Sequence, residues 1–422
     1  MTPVLPEARI LARAKLAVYT TFFVVGFVFA SWASRMVAIR DTLDFQPEQM
    51  GRLLLVGAVG SILALPVSGW VVQRIGGRRT IIVFSIVMCG GYGLTATTLG
   101  SVPIMMTGLF LFIGGIGMGV NDSAMNFEGT RVEGALKRSI MPRFHGFFSL
   151  GTMAGALVGA LVARNGITLM LHVGIAIIVG FIIVQLGARW LLPAGFDTQD
   201  IDVTSPAPAV GAPAPLESPQ SALAQPSVWA AWREPRTWMI GLVVLAAALT
   251  EGAGNDWIAL GVTDGFHVTE EWGSLTLFIF LTFMTVARFA GTTLIDRLGR
   301  VTVLRMCGIS AIVGLILFAL APWMWLALVG AALWGLGAAL GFPVGMSAAS
   351  DDPRQAAARV AVVATIGYAA FFAGPPLLGE LAAHVGYRNA MLAIIVPAVV
   401  SVIVAFVAQA KQPQNTNATS ER

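Results

Sequence analysis

Twelve apolar runs, each of about 20 residues, constrain this chain more than any other feature of its sequence. A helix of that length crosses a hydrocarbon layer of about 30 Å. The runs lie near 16–38, 51–73, 80–99, 103–126, 144–163 and 169–192, then near 237–261, 273–295, 301–320, 323–348, 359–383 and 389–409. Only 11% of the 422 residues are charged and 56% are hydrophobic, with a mean hydropathy of +0.79. A soluble domain carries roughly 25% charged residues, so water is not the solvent for this fold. The expected class is an all-α membrane protein of twelve transmembrane helices in two pseudo-symmetric six-helix bundles. Arg9, Arg13 and Lys15 precede an apolar run that continues past Ala30. That run is too long for a signal-peptide core and reads as the first span. Cys89 and Cys307 sit inside apolar runs, far from any histidine cluster, and point to neither a disulfide framework nor a metal site.

Four segments follow: a bundle over 1–192, a cytoplasmic linker over 193–236, a second bundle over 237–410 and a tail over 411–422. The linker contains DTQDIDVTSPAPAVGAPAPLESPQ, whose Pro, Ala and Ser content predicts disorder. The tail is polar, and its Asn417-Ala418-Thr419 glycosylation pattern falls on the cytoplasmic side, where it has no meaning. With the N-terminus inside, twenty Lys and Arg residues fall on the cytoplasmic face, and only Arg40, Arg52, Arg164 and Arg388 on the other. The positive-inside rule therefore places both termini in the cytoplasm, and the net charge of +4 is a topology signal rather than a nucleic-acid footprint. The halves also repeat. Gly69 and Gly291, Gly115 and Gly337, and Gly119 and Gly341 are each 222 residues apart, and GWVVQRIGGRR at 69–79 answers GTTLIDRLGR at 291–300. Parallel six-span repeats place a functional site between the halves near the midplane.

One stretch concentrates the chemistry. In GGIGMGVNDSAMNFEGTRVE, residues 114–133, Gly115, Gly119, Asp122 and Asn126 share one helical face. The glycines admit a close neighbour, and an ionisable group within a span is a functional-site hypothesis. A cap at the cytoplasmic end of the helix, or a structural pair with a base, is the plain alternative for Asp122. By the 222-residue repeat its counterpart is Val344, and that of Asn126 is Ala348, so only one half carries the polar pair.

Gln73-Arg74-Ile75-Gly76-Gly77-Arg78-Arg79 and Asp296-Arg297-Leu298-Gly299-Arg300 resemble the signature loop of the major facilitator superfamily, which lies between spans 2 and 3 and again between 8 and 9. With twelve spans and a central linker, the resemblance covers essentially the whole chain. It implies a transporter whose spans 1, 4, 7 and 10 line a central cavity. The first loop departs from the pattern, with Gln73 at the aspartate position and Gly77 where a base is common. The resemblance makes Arg74, Arg78, Asp296, Arg297 and Arg300 gate candidates. Asp122 and Asn126 occupy positions that resemble the acid-x-x-x-Asn pattern of the fucose permease branch of sugar:proton symporters, although 16–38 lacks that branch's acid. The fuller set ASWASR, MNFEGTRVE, RFHGFFSLG, EGAGNDW and WGLGAALGFP is similar to the YbjJ-type inner-membrane proteins of bacteria.

Further polar residues stand within the spans. EGAGNDW offers Glu251 and Asn255 on one face, while Asp256 points elsewhere, and Trp257 follows it. Arg35 and Asp256 each lie about 20 residues into their spans and should reach similar depth, so Arg35 is expected to close an outer gate with Asp256 or Glu251. Separate snorkelling of the two is the plain alternative. His145 opens the fifth span as a possible neighbour of Asp122, and Arg288 in the eighth requires an anion. Trp32, Trp257 and Trp334 could stack on a substrate ring or merely pack. Glu380 is expected near the outer surface. Glu128, Arg131, Glu133, Lys137 and Arg138 read as a solvated face, with a gate network as the alternative. Proton-coupling candidates are thus Asp122, Glu251 and His145.

These readings converge on a secondary transporter in the bacterial inner membrane. It would move a small polar solute, such as a sugar or a hydroxylated acid, by alternating access as a proton symporter. It needs no cofactor beyond the proton, has the bilayer and the solute as partners, binds no nucleic acid, and is expected to be monomeric. Efflux antiport is the alternative within transport; a sensor or enzyme on the same fold is the alternative outside it. No phosphate-binding glycine loop or serine-triad signature occurs to support the latter.

Overall fold

A computed structural model describes residues 7–136, 140–193, 228–352 and 355–409. Among these residues there is no strand, and the spans are α1 (Glu7–Ala33), α3 (Pro47–Ile75), α4 (Gly77–Thr98), α5 (Ile104–Leu136), α6 (Met141–Arg164) and α7 (Leu169–Ala188) in the first half. A short helix α2 (Met36–Leu43) joins the first two spans, and α8 (Val228–Ala231) precedes the second half. The second half comprises α9 (Pro235–Phe266), α10 (Glu270–Leu298), α11 (Arg300–Leu320), a tenth span split into α12 (Met324–Ala338) and α13 (Gly341–Ala349), α14 (Ala356–Val385), and a last span over Tyr387–Ala408. Helices are what hydrocarbon permits, since each satisfies its own backbone groups. The second half begins with α8 at Val228, before the boundary expected at 237, and Glu234 there holds Arg359 at 2.6 Å. The rest of the expected linker after Pro193, Lys137, Arg138, Arg354 and the 411–422 tail lie outside the described residues.

Small residues set how closely the helices approach, because lipid offers no hydrophobic drive between them. A Cβ on Gly115 would run into the Gly57 carbonyl of α3, and one on Gly119 into the Ser61 carbonyl. The glycine stripe therefore does admit a close neighbour. The same contacts correct the register of the repeat. Gly91 lies against Gly114 and the Phe110 carbonyl, and Gly314 lies in the same way against Trp334 and the Gly330 carbonyl. Gly115 on the Gly57 carbonyl likewise matches Gly335 on the Phe280 carbonyl. The tenth span is thus displaced by 220 residues from the fourth, not 222. The counterparts of Asp122 and Asn126 become Phe342 and Met346 in place of Val344 and Ala348. Sequence identity at glycines had matched letters; packing matches positions.

The halves meet along two seams. In one, α3 packs on α14, where Gly51 abuts the Pro375 carbonyl and Gly379 abuts the Pro47 carbonyl. In the other, α6 packs on α10, with Thr285 Oγ1 donating to the Ser149 carbonyl at 3.4 Å. Packing of this kind predicts a clear contrast. Gly115→Val should destabilise the purified protein by about 1–3 kcal/mol through overpacking. Gly90→Val, where a Cβ meets nothing within 4 Å, should not. Thermal unfolding in detergent reads the difference; equal melting of the two variants would contradict the close approach.

Candidate functional site

Between the seams lies a cavity of about 330 Å³, lined by α1, α2, α3, α4, α5 and α7 of the first half and by α9 and α14 of the second. Its walls are mainly Val, Leu, Ile, Phe and Met. The polar exceptions are Ser61, Tyr92, Asn255, Asp256 and Tyr368, with the Trp32 indole beside them. Trp32 and Tyr92 are neighbouring rings, with centroids 5.7 Å apart. Asp256 has no hydrogen-bond or ion-pair partner among the described residues, and the Asn255 Oδ1 and Tyr368 Oη atoms are buried without one. Trp32, Asn255 and Asp256 therefore sit where the sequence placed substrate-cavity candidates.

Other expected residues sit elsewhere. Trp334 is fully buried between Phe280 and Phe318, at 5.6 and 5.5 Å, and its Nε1 donates to the Thr250 carbonyl. It holds the tenth span to its own half and cannot reach a solute. Trp257 is also fully buried, its ring 5.7 Å from Tyr387 and apart from the main cavity. Both tryptophans turn toward the interior of the second half because the faces they occupy pack on neighbouring spans.

Asp122 lies outside the cavity lining. Asn126 donates to its backbone carbonyl at 2.9 Å and to its carboxylate at 3.4 Å. No cation pairs with Asp122 among the described residues. The Asp122 charge acts on the Tyr368 hydroxyl of the opposite half, and the Asp256 charge acts on Tyr92 in the same crosswise manner. His145 packs edge-on to Phe22 with centroids 5.2 Å apart, and the charge it senses is that of Arg288 rather than Asp122.

Arg288 finds its anion in Glu251, at 2.7 Å. It also donates to Ser149 Oγ at 3.2 Å across the interface, and to the Ala339 carbonyl at 3.3 Å. That carbonyl lies at the break between α12 and α13, so one guanidinium supplies the donor that the interrupted helix lacks. Arg35 was expected to pair with Asp256 or Glu251. It pairs with Glu270 at 2.8 Å and donates to the Ile167 carbonyl at 3.0 Å. The first span ends at Ala33, and the turn that follows aims Arg35 at the start of α10, which lies at the same depth. Nearby, Arg40 bridges Asp264, and Ser274 donates to the Ser34 carbonyl at 2.6 Å. These three links between the halves lie at the end of the molecule away from the termini, beside the cavity walls Met36 and Ile39.

At the end that carries the termini, the ion pairs described stay within one half. Arg300 and Arg236 share Asp351 at 2.6 and 3.2 Å. Glu128, expected on a solvated face, is fully buried, and Arg131 donates to it at 3.1 Å. Its carboxylate occupies the space a Cβ on Gly77 would need, which accounts for glycine at that place in the first signature loop. Glu133 accepts from the Ile140 and Met141 amides at 2.6 Å and so caps α6. Arg74, Arg78, Asp296 and Arg297 are exposed, with no side-chain ion pair among the described residues. Glu380 is exposed toward the far end. Sequence reasoning missed Glu270, Asp264, Tyr92 and Tyr368. The tyrosines carried a usable signal, for only four occur in the chain and both of these interrupt apolar runs.

The family model described as Major Facilitator Superfamily matches residues 16–356 and 256–422. The chain is 29% identical over 390 residues to the uncharacterized transporter y4wD of Sinorhizobium fredii, covering 89% of this chain and 95% of that one. It is 28% identical to the membrane protein MosC of Rhizobium meliloti, covering 91% and 87%, and 28% identical to an uncharacterized MFS-type transporter of Yersinia pestis, covering 86% and 87%. Among solved structures, the nucleoside transporter NupG superposes with a TM-score of 0.69 at 15% identity, covering 94% of this chain and 98% of that one. The Escherichia coli fucose:proton symporter FucP superposes at 0.58 and 17% identity, covering 92% and 98%. At these identities the superpositions carry the fold alone.

The Arg288–Glu251 pair is open to a double-mutant cycle. Arg288→Met and Glu251→Leu should each lower thermal stability more than the double variant does, with a coupling of about 0.5–3 kcal/mol. Additive losses would show that the two groups do not depend on one another.

Proposed function

The chain belongs to the major facilitator superfamily, and from that premise we propose that it is a secondary transporter carrying a small solute through the cavity between its halves by alternating access, coupled to protons. The observation that carries the reading is a cavity walled by both halves, to which the first half brings Ser61 and Tyr92 and the second half Asn255, Asp256 and Tyr368. The far-end links through Arg35, Arg40 and Ser274 are the contacts that must break for the cavity to open there. With the termini in the cytoplasm, as the Lys and Arg distribution supports, that far end faces outward. Asp122 is the coupling acid in this reading. It is held in the fourth span without a cation, and a charge in that setting needs a counter-charge or a proton.

Of the solutes expected from sequence, the cavity disfavours the hydroxylated acid. Its one carboxyl is Asp256, and no Arg or Lys stands among the lining residues described. The nucleoside and fucose transporters that share the fold support a small solute with hydrogen-bond donors. The mainly apolar and aromatic walls also support the second reading, efflux of an apolar metabolite or drug.

A thermal-shift screen of sugars, sugar acids and cationic compounds on purified protein would supply a ligand for flux measurements in sealed proteoliposomes. Asp122→Asn is expected to keep solute exchange down or at equal concentration and to lose accumulation driven by a pH gradient. Undiminished accumulation by that variant would remove Asp122 from the coupling role.

A further inference from the structure

The geometry points to an organic cation as the ligand of the central cavity: an amine-bearing solute with an apolar body, its ammonium held by Asp256 and Asn255 against the rings of Trp32 and Tyr92. This rests on the transporter reading for its physiological meaning and on the cavity alone for its chemistry.

The sign of the charge comes first. The cavity wall carries one carboxylate and no Arg, Lys or His. Arg35 and Arg288, each within the fold's interior, are already committed, to Glu270 and to Glu251. Asp256 has no partner among the described residues, although charged groups buried within a membrane protein are ordinarily paired. An acid left alone in such a place is met by a proton or by a cation, and a cationic solute supplies the second where an anionic one would meet only repulsion.

Hydrogen bonding selects within the cations. The Asn255 Oδ1 atom beside Asp256 is a buried acceptor with nothing donating to it. An acid and a carbonyl oxygen side by side suit the several N–H groups of an ammonium. Trp32 and Tyr92 present adjacent aromatic rings on the facing wall. Such rings attract a cation held over their faces.

The remaining wall sets the body. Beyond Ser61, Tyr92, Tyr368 and the Asn255–Asp256 pair, the lining is aliphatic, aromatic or Met. A polyhydroxylated sugar would strand most of its hydroxyls there without partners, which is costly. Met36, Met50, Met88 and Met118 add flexible thioethers that adapt to bodies of differing shape. The volume of about 330 Å³ admits a small molecule of one or two rings.

Matched triplets test this directly on the purified full-length chain. Indolylethyl, phenylethyl and cyclohexylethyl bodies, each as the amine, the alcohol and the carboxylate, differ in charge and little else. In at least one body the amine is expected to bind about tenfold or more tighter than its alcohol, and the carboxylate weaker than both. Asp256→Asn should bring amine affinity down to that of the alcohol, whereas Asp256→Glu should retain the preference; equal helicity by circular dichroism establishes that both variants fold. The inference is overturned if no amine outbinds its alcohol in any body, if a carboxylate binds tightest, or if Asp256→Asn keeps the amine preference. Counterflow in proteoliposomes separates this from the transport reading. A bound amine that never crosses the membrane contradicts transport and leaves the site standing. A neutral or acidic solute that crosses while no amine binds does the reverse.

Discussion

A charge held among hydrocarbon is costly unless an opposite charge, a set of donors or water meets it, and the organisation of this chain follows from how it meets that demand. Glu128 lies against Arg131, Glu251 against Arg288 and Glu270 against Arg35. Arg388 donates to the Phe318 and Ala321 carbonyls and lies over the Phe266 ring. Asp351 answers two arginines at once. Against that background Asp122 and Asp256 stand out, since neither has a cation. Asp256 lines the central cavity, and Asp122 lies outside that lining.

The paired charges also hold the halves in one relation. At the far end, links cross from Arg35, Arg40 and Ser34 to Glu270, Asp264 and Ser274. Near the middle, Arg288 ties α10 to α6 through Ser149 and to the broken tenth span through Ala339. At the end bearing the termini, the described ion pairs bind each half to itself. Among the described residues, ionic links between the halves lie only at the far end, with a hydrogen bond near the middle, which leaves the rest of the interface a set of contacts that can be exchanged. The broken tenth span belongs to the same economy of donors, because Arg288 serves both its carbonyl and the Glu251 carboxylate.

Much of this was legible in the sequence. Hydropathy alone places all twelve spans, because length and apolarity are what the bilayer reads. The glycine stripe with Asp122 and Asn126 was legible too, as a helical face, and Trp32, Asn255 and Asp256, read from sequence as cavity candidates, line the central cavity. Pairing was not. Arg35 was matched to acids of the seventh span by counting depth, but depth is shared by every residue at that level, and the turn after Ala33 selects Glu270. Trp257 and Trp334 looked like their cavity neighbour Trp32, yet side-chain direction on a buried helix depends on which neighbours flank it. The repeat was found by matching glycine letters at 222 residues, and packing placed the tenth span at 220, since the two copies need the same close approach and not the same letter.

The central claim is that the far-end links hold one arrangement of two rigid halves that rock about the cavity. Pulsed electron paramagnetic resonance tests it most directly, in a background lacking Cys89 and Cys307. One label pair on the exposed positions Arg164 and Thr269 reports the far end, and another on Arg79 and Arg297 reports the end with the termini. With Glu270→Gln and Asp264→Asn combined, the account predicts a longer far-end distance and a shorter distance at the other end. An unchanged far-end distance, or both distances moving in the same sense, would contradict it.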